Sequence, residues 1–81
     1  MQIKLKLFAA LKEHVRSSEL VWESPSPITG DDLIRSLADH YPAIAVLLEQ
    51  CSFVRNGYFF RKNGSIQNGD DIAILPPFSG G

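Results

Sequence analysis

The chain has little of what most enzymes and secreted proteins depend on. A single cysteine excludes an internal disulfide framework. No apolar run approaches the ~20 residues that cross a bilayer, and charged residues interrupt MQIKLKLFAALKEHV where a signal peptide needs an apolar segment. Eight basic and nine acidic residues, spread without blocks, form no electrostatic footprint for nucleic acid or an anionic membrane. We therefore expect a cytoplasmic protein that binds neither nucleic acid nor a membrane.

Catalytic and metal-binding motifs are missing as well. Neither GxGxxG nor GxxxxGK[ST] occurs, so the sequence predicts no nucleotide-phosphate cradle. His14, His40 and Cys51 are too few and too scattered for a metal site; we expect solvent-facing histidines and a packed cysteine. Asp70 and Asp71 follow a turn signal and are expected to hydrogen-bond within that turn. The sequence thus predicts no metal and no cofactor bound by this chain.

The pattern of apolar residues predicts one small domain that combines strands and helices. Of the 81 residues, 44% are hydrophobic, and residues 2–8 alternate as a half-buried strand does. Thr29 is a predicted helix N-cap with Asp32 at the capping-box position, and Pro42 should end that helix near residue 40 or 41. Further strands are expected around residues 20–22, 53–54, 58–60, 65–66 and 71–75, with a short helix at each of residues 10–16 and 43–48. The predicted order is β-α-β-α-β-β-β, an α+β mixed sheet packed on one main helix.

Asparagine-glycine pairs punctuate the C-terminal part of the sequence. They occur at residues 56–57, 63–64 and 68–69. Such pairs are favoured where a turn needs positive φ. We expect each pair to form a turn between two of the last four strands.

The sequence PPFSGG at residues 76–81 is the least typical of a packed element. Pro76 and Pro77 cannot continue a β-ladder and favour an extended path, so residues 76–81 would project up to ~20 Å from a domain at residues 1–75. Gly80 and Gly81 lack Cβ atoms and fit a channel too narrow for other residues. Such a tail would deliver the carboxylate of Gly81, which must be activated before a nucleophile can replace its oxygen.

Strand parity predicts an exposed apolar patch near the root of this tail. Phe8 has the opposite parity to the core residues of the first strand, and Leu75 to those of the last. At least one ring of the Tyr-Phe-Phe run at residues 58–60 must also face away from the core, and we assign Phe59 to that role. Phe8, Phe59 and Leu75 are therefore candidate partner-binding residues, since such patches usually mark partner surfaces. The alternative is that these side chains form a second small apolar cluster that a loop covers.

These residues carry a resemblance to a known family. NGDDIAILPPFSGG, at residues 68–81, resembles the C-terminal signature of the molybdopterin synthase small subunits, which are ubiquitin-like sulfur carriers. IKLKLFAALKE resembles that family's first strand and helix start, and residues 54–57 resemble its V-N-G turn with Arg55 inserted. Three residues depart from the signature: Asn68 replaces an aspartate, Asp71 a glutamate and Phe78 a smaller valine. Phe78 requires a wider partner channel or a different binding mode for the tail.

The resemblance implies a β-grasp fold and a function that resides in the tail. It implies that an activating enzyme, similar to ubiquitin-activating enzymes, adenylates Gly81 with ATP, and that a sulfur donor converts it to a thiocarboxylate. Pro76, Pro77, Phe78, Ser79 and Gly80 would enter the large synthase subunit, which supplies the catalytic side chains for sulfur transfer to the pterin precursor of the molybdenum cofactor. Two carriers on a dimer of large subunits, a heterotetramer, is the implied assembly.

Other functions remain open at the level of sequence. A carrier for thiazole or cysteine synthesis would share the fold and the Gly-Gly, although thiazole carriers generally lack the paired prolines. A ubiquitin-like modifier would join the same tail to lysines, and an interaction domain would leave the tail inert. The sequence also leaves open whether the activating enzyme is dedicated or shared, and whether the final metal is molybdenum or tungsten.

Overall fold

A computed structural model describes residues 1–24 and 27–77. The strands in this part of the chain are β1 (Gln2–Leu7), β2 (Glu19–Glu23), β3 (Ile28–Thr29), β4 (Ser52–Arg55), β5 (Tyr58–Phe60), β6 (Ser65–Ile66) and β7 (Asp71–Leu75). The helices are α1 (Ala9–Val15), α2 (Gly30–His40) and α3 (Ala45–Glu49), the last preceded by a single 3-10 turn at Pro42–Ile44.

The strands form a five-stranded mixed sheet and a separate two-stranded one. The order in the larger sheet is β2-β1-β7-β4-β5. β1 and β7 run parallel, whereas the other pairs are antiparallel. β3 pairs with β6 alone. The predicted mixed sheet and its main helix are confirmed, but the predicted order has two strands and one helix fewer than the structure. No signal in the sequence predicted β3, because two residues are too short to show a period of two and Thr29 also has the features of a helix cap.

The hydrophobic core lies between the inner face of the larger sheet and the helices. Alternate residues of β1 and β7 are buried, and so are two leucines of α2 that face them. The least exposed apolar side chains are those of Ile3, Leu5, Leu11, Leu33, Leu37, Ile44, Leu48, Phe53, Ile66, Ile72 and Ile74. This single cluster includes side chains from both sheets and all three helices, so every element contributes to one core.

Cys51 belongs to this core, as predicted. Its side chain is buried, with Sγ 3.2 Å from the carbonyl oxygen of Leu47. Burial raises the pKa of the Cys51 thiol, because desolvation disfavours the thiolate. The thiol therefore stays protonated at neutral pH and has no nucleophilic character.

The main helix α2 begins at the predicted capping box. The hydroxyl of Thr29 accepts from the backbone N–H of Asp32 at 3.2 Å, and the Asp32 carboxylate accepts from the backbone N–H of Thr29 at 3.1 Å. The second of these bonds lowers the pKa of Asp32. The box is therefore complete above the usual aspartate pKa of ~3.9 and weakens as pH falls through the lowered pKa of the folded state. The helix ends at His40, two residues before Pro42, as expected.

Replacing the cap residue tests how much this box stabilises the fold. We expect Thr29→Ala to lower the free energy of unfolding by ~1 kcal/mol at neutral pH, since one backbone N–H of α2 loses its acceptor. Thr29→Ser keeps the hydroxyl and should lose less than half as much. Urea denaturation followed by far-UV circular dichroism measures both. Equal losses in the two variants would contradict the capping role.

Candidate docking face and tail root

The tail root is the end of the middle strand of the sheet. β7 lies between β1 and β4, and Leu75 pairs with Ser52 at its last position. Pro76 is half-buried and Pro77 is exposed, and neither belongs to a strand. Phe78, Ser79, Gly80 and Gly81 lie outside the described residues, so the chemistry predicted for them stays a prediction. The structure shows that the chain leaves the sheet from its best-anchored strand.

The outer face of the sheet, opposite the helices, carries a continuous row of side chains. Cross-strand partners place Phe59 beside Val54, Val54 beside Ala73, Ala73 beside Lys6, and Lys6 beside Glu19. We call these five residues the outer row. Its β5 end is apolar and exposed, since 74% of Phe59 is accessible, whereas its β2 end is charged. The outer row thus offers a partner an apolar end and a charged end.

The three predicted partner-binding residues lie at two places on this face. Phe59 belongs to the outer row, and its ring is separated from β7 by β4. Phe8 and Leu75 directly follow Leu7 and Ile74, the last pair of the β1–β7 ladder, so they lie together at the tail root. Phe8 is 43% exposed, whereas Leu75 is half-buried. Phe59 and the Phe8–Leu75 pair are therefore two separate groups on the outer face. They do not form the single patch on neighbouring strands that strand parity predicted.

Sequence reasoning missed the residues that connect these two groups. Val54 and Ala73 lie between Phe59 and Lys6 in the outer row, and both are half-buried. Their alternation with buried neighbours was visible in the sequence, but only the strand register places them side by side. Tyr58 was also missed: it is 79% exposed and is the first residue of the edge strand β5, directly after the β4–β5 turn.

Arg55 explains the departure of residues 54–57 from the family's turn pattern. Its guanidinium donates to the carbonyl oxygen of Ser65 at 2.7 Å and to Oδ2 of Asp70 at 3.1 Å, and lies 4.8 Å from the ring centroid of Phe60. The same Asp70 oxygen accepts from the backbone N–H of Gln67 at 2.8 Å. Arg55 therefore ties β4 and β6 to the turn that starts β7, and Asp70 is the turn residue that the sequence predicts.

The remaining polar candidates show no catalytic grouping. His14 is exposed on α1, and His40 makes edge contacts with Trp22 and Tyr41, with ring centroids 5.6 and 4.7 Å apart. Across residues 1–24 and 27–77, no three His, Cys, Asp or Glu side chains come together as a metal would need. None of the helices described is long and apolar enough to cross a membrane.

A surface groove of about 510 Å³ does not adjoin the outer row. It lies between α2 and α3 on the helix side of the molecule, and its rim mixes acidic and basic side chains. Its lining residues are Asp31, Ile34, Arg35, Ala38, Ala45, Glu49 and Lys62. The volume of a groove alone therefore does not identify the functional site, and the face of the sheet beside the tail root remains the better candidate.

Comparison with known proteins supplies the family. The ThiS family matches residues 5–81. The chain belongs to the ThiS family. It is 35% identical over 83 residues to the molybdopterin synthase sulfur carrier subunit of Dictyostelium discoideum, covering 99% of the chain and 96% of that protein. It is 31% identical over 83 residues to the corresponding subunit of Chlamydomonas reinhardtii, covering 100% of both. The resemblance stated from the sequence is thereby confirmed.

A modifier protein is also among the relatives of this ThiS-family chain. Small archaeal modifier protein 3 of Haloferax volcanii is 27% identical over 92 residues, with 100% of both chains covered. The crystal structure of SAMP1 from the same organism superposes with a TM-score of 0.82 at 26% identity, again over 100% of both chains. The predicted ubiquitin-like β-grasp fold is confirmed.

A second structural neighbour comes from a complex. A chain in the complex of subunits 1 and 2 of the molybdopterin-converting factor from Helicobacter pylori superposes with a TM-score of 0.67, at 20% identity and with 100% of both chains covered. At this identity the likeness shows the shared fold.

Substituting a ring on each face tests the placement of Phe59 outside the core. We expect Phe59→Ser to change the free energy of unfolding by no more than ~1 kcal/mol, because one cross-strand pair contributes at most about that much to stability. Phe53→Ala, which empties a buried site 1% exposed, should cost ~3–5 kcal/mol. Urea denaturation of both variants makes the comparison. Similar losses would place Phe59 in the core.

Proposed function

We propose that this chain is the sulfur carrier subunit of a molybdopterin synthase. The observation that carries the proposal is its match, along nearly the whole of both chains, to two sulfur carrier subunits of that enzyme. The geometry supports it, because the middle strand of the sheet ends beside an exposed apolar face.

In this proposal the chemistry occurs at the Gly81 carboxylate. Its oxygen attacks the α-phosphorus of ATP on an adenylating enzyme, pyrophosphate leaves, and the resulting acyl adenylate makes AMP a good leaving group. Sulfide-level sulfur from a sulfur donor then attacks the carbonyl carbon of Gly81 and displaces AMP, which leaves a thiocarboxylate. The large subunit next supplies the catalytic side chains that transfer this sulfur to the pterin precursor. ATP is thus consumed by the partner enzyme and is not a cofactor of this chain.

The folded body would contribute binding and orientation. The apolar end of the outer row, with Phe8 and Leu75 at the tail root, would dock on the large subunit and align residues 76–81 with its active site. The Helicobacter pylori neighbour, a complex of subunits 1 and 2 of the molybdopterin-converting factor, supports a two-component arrangement of this kind. A dimer of large subunits with two carriers is the assembly that we propose.

A ubiquitin-like modifier is the second candidate function. The full-length match to small archaeal modifier protein 3 favours it, as does the likeness to SAMP1. Both functions begin with activation of Gly81 and differ in the acceptor: sulfur for the carrier, a lysine amine for the modifier.

Intact mass after activation separates these candidates. Incubated with cell extract, ATP and a sulfur source, the chain should gain the mass of one oxygen-to-sulfur exchange, localised by fragmentation to Gly81. The variant lacking Gly81 should gain nothing, and Cys51→Ala should react like the wild type, which excludes a persulfide on the buried thiol. An unchanged mass, under conditions that charge a known carrier, would overturn the carrier proposal. Isopeptide links to other proteins would favour the modifier.

Introducing a negative charge on the outer face tests whether that face is the docking surface. We expect Phe59→Asp to weaken binding to the large subunit roughly tenfold or more, as loss of a buried aromatic anchor does. Phe8→Asp and Leu75→Asp should weaken it as well, with an added loss of stability for the half-buried Leu75. Val46→Asp is the matched control, because Val46 is 71% exposed on α3, on the helix side. Calorimetric titration measures each affinity, and an equal effect of Val46→Asp would refute the assignment of this face.

A further inference from the structure

Three Asn-Gly pairs with the same covalent structure sit in three different environments. Asparagine followed by glycine can cyclise, since glycine has no side chain to hinder attack of its backbone nitrogen on the asparagine amide. The pairs at residues 56–57, 63–64 and 68–69 are therefore three chemically equivalent candidates for the same modification. Only the hydrogen bonds around each pair distinguish them.

The pair at residues 68–69 has both reacting groups engaged. Oδ1 of Asn68 accepts from the backbone N–H of Gln2 at 2.7 Å, which holds the side-chain amide away from the following nitrogen. The backbone N–H of Gly69 donates to the carbonyl oxygen of Gln2, also at 2.7 Å. These bonds tie the turn to β1, a strand whose alternate residues are buried. Cyclisation here would require both bonds to open.

The pair at residues 63–64 has its nucleophile engaged. The backbone N–H of Gly64 donates to the carbonyl oxygen of Arg61 at 2.8 Å, and the carbonyl oxygen of Gly64 accepts from the N–H of Gly30 at 3.1 Å. Hydrogen bonds therefore hold both the backbone N–H and the carbonyl group of Gly64. Attack by the Gly64 nitrogen would first have to break its bond to Arg61.

By contrast, neither reacting group of the pair at residues 56–57 is engaged in a hydrogen bond with the described residues. Among the residues that the structure describes, none makes a hydrogen bond to the Asn56 side chain or to the backbone N–H of Gly57. Both residues are exposed, and a Cβ built on Gly57 would meet no atom within 4 Å. The following strand is the three-residue edge strand β5, so this hairpin end can open without disturbing the core.

We propose that Asn56 is the position at which the folded chain deamidates. The Gly57 nitrogen forms a bond to Cγ of Asn56, the bond from Cγ to Nδ2 breaks, and ammonia leaves with the proton of the Gly57 amide. Water then opens the cyclic imide at either carbonyl, which gives isoaspartate or aspartate. Either product carries a carboxylate that is ionised at neutral pH, since the reference aspartate pKa is ~3.9.

The new charge would lie at the margin of the docking face. Asn56 lines a groove of about 160 Å³ together with Lys6, Val54, Gly57, Asp71 and Ala73, three of which belong to the outer row. Lys6 already lies 3.8 Å from Asp71, so a second carboxylate would compete for the same cation. Deamidation would thus alter the charge of the surface to which, under the proposed function, the partner binds.

Peptide mapping of aged protein tests the ranking of the three pairs. The full chain is incubated for several days in warm, mildly alkaline buffer, and aspartate and isoaspartate are quantified at positions 56, 63 and 68. We expect position 56 to react at least roughly fivefold faster than the others, because each hydrogen bond that must open first slows the attack by about that factor. In concentrated urea, where those bonds are lost, the three rates should converge.

The outcomes that would overturn the proposal are equally definite. They are faster reaction at position 63 or 68 in the folded chain, equal rates at the three positions, or no reaction at 56 while the urea-treated chain reacts. This measurement involves no partner, so it stands whether or not the carrier function is correct. The effect on docking rests on the proposed function: Asn56→Asp should weaken binding to the large subunit several-fold, whereas Asn63→Asp, the charge-matched control on the β5–β6 loop, should not.

Discussion

The pairing of β7 with β1 and β4 is the constraint on which the rest of the structure depends. β7 is the last strand in the chain, yet it occupies the middle of the five-stranded sheet. Its Ile72 and Ile74 are fully buried and join the two halves of the core. The five-stranded sheet is therefore complete only when β7 lies between β1 and β4, two strands that come earlier in the sequence. Residue 76 thus directly follows the middle strand of the sheet.

Local patterns in the sequence predicted most of the fold but only part of the site. The alternation of Ile3, Leu5 and Leu7 predicted the first strand and its buried face, and the Thr29 cap predicted the start of the main helix, because both signals depend on neighbouring residues alone. The outer row depends instead on strand register across five separate segments. No local pattern contains that register, so the contribution of Val54 and Ala73 emerged only from the structure.

In the proposed function, the folded body and the tail have separate roles. The body has a buried, unreactive thiol at Cys51 and an exposed aromatic ring at Phe59, which are features of a binding module. Chemistry in this account is confined to Gly81 and to the enzymes that act on it. The same division explains how one fold can belong to relatives named as sulfur carriers and as modifiers, since exchanging the acceptor changes the outcome without changing the carrier.

Sulfur transfer from a preformed thiocarboxylate tests the central claim most directly. The chain is prepared by intein cleavage with a thiocarboxylate at Gly81, mixed with the large subunit and the pterin precursor, and followed by intact mass and product analysis without ATP. The account predicts that dithiolene product forms while the carrier returns to the mass of the carboxylate. A thiocarboxylate that persists in the presence of the large subunit and precursor, with no dithiolene product, would contradict it.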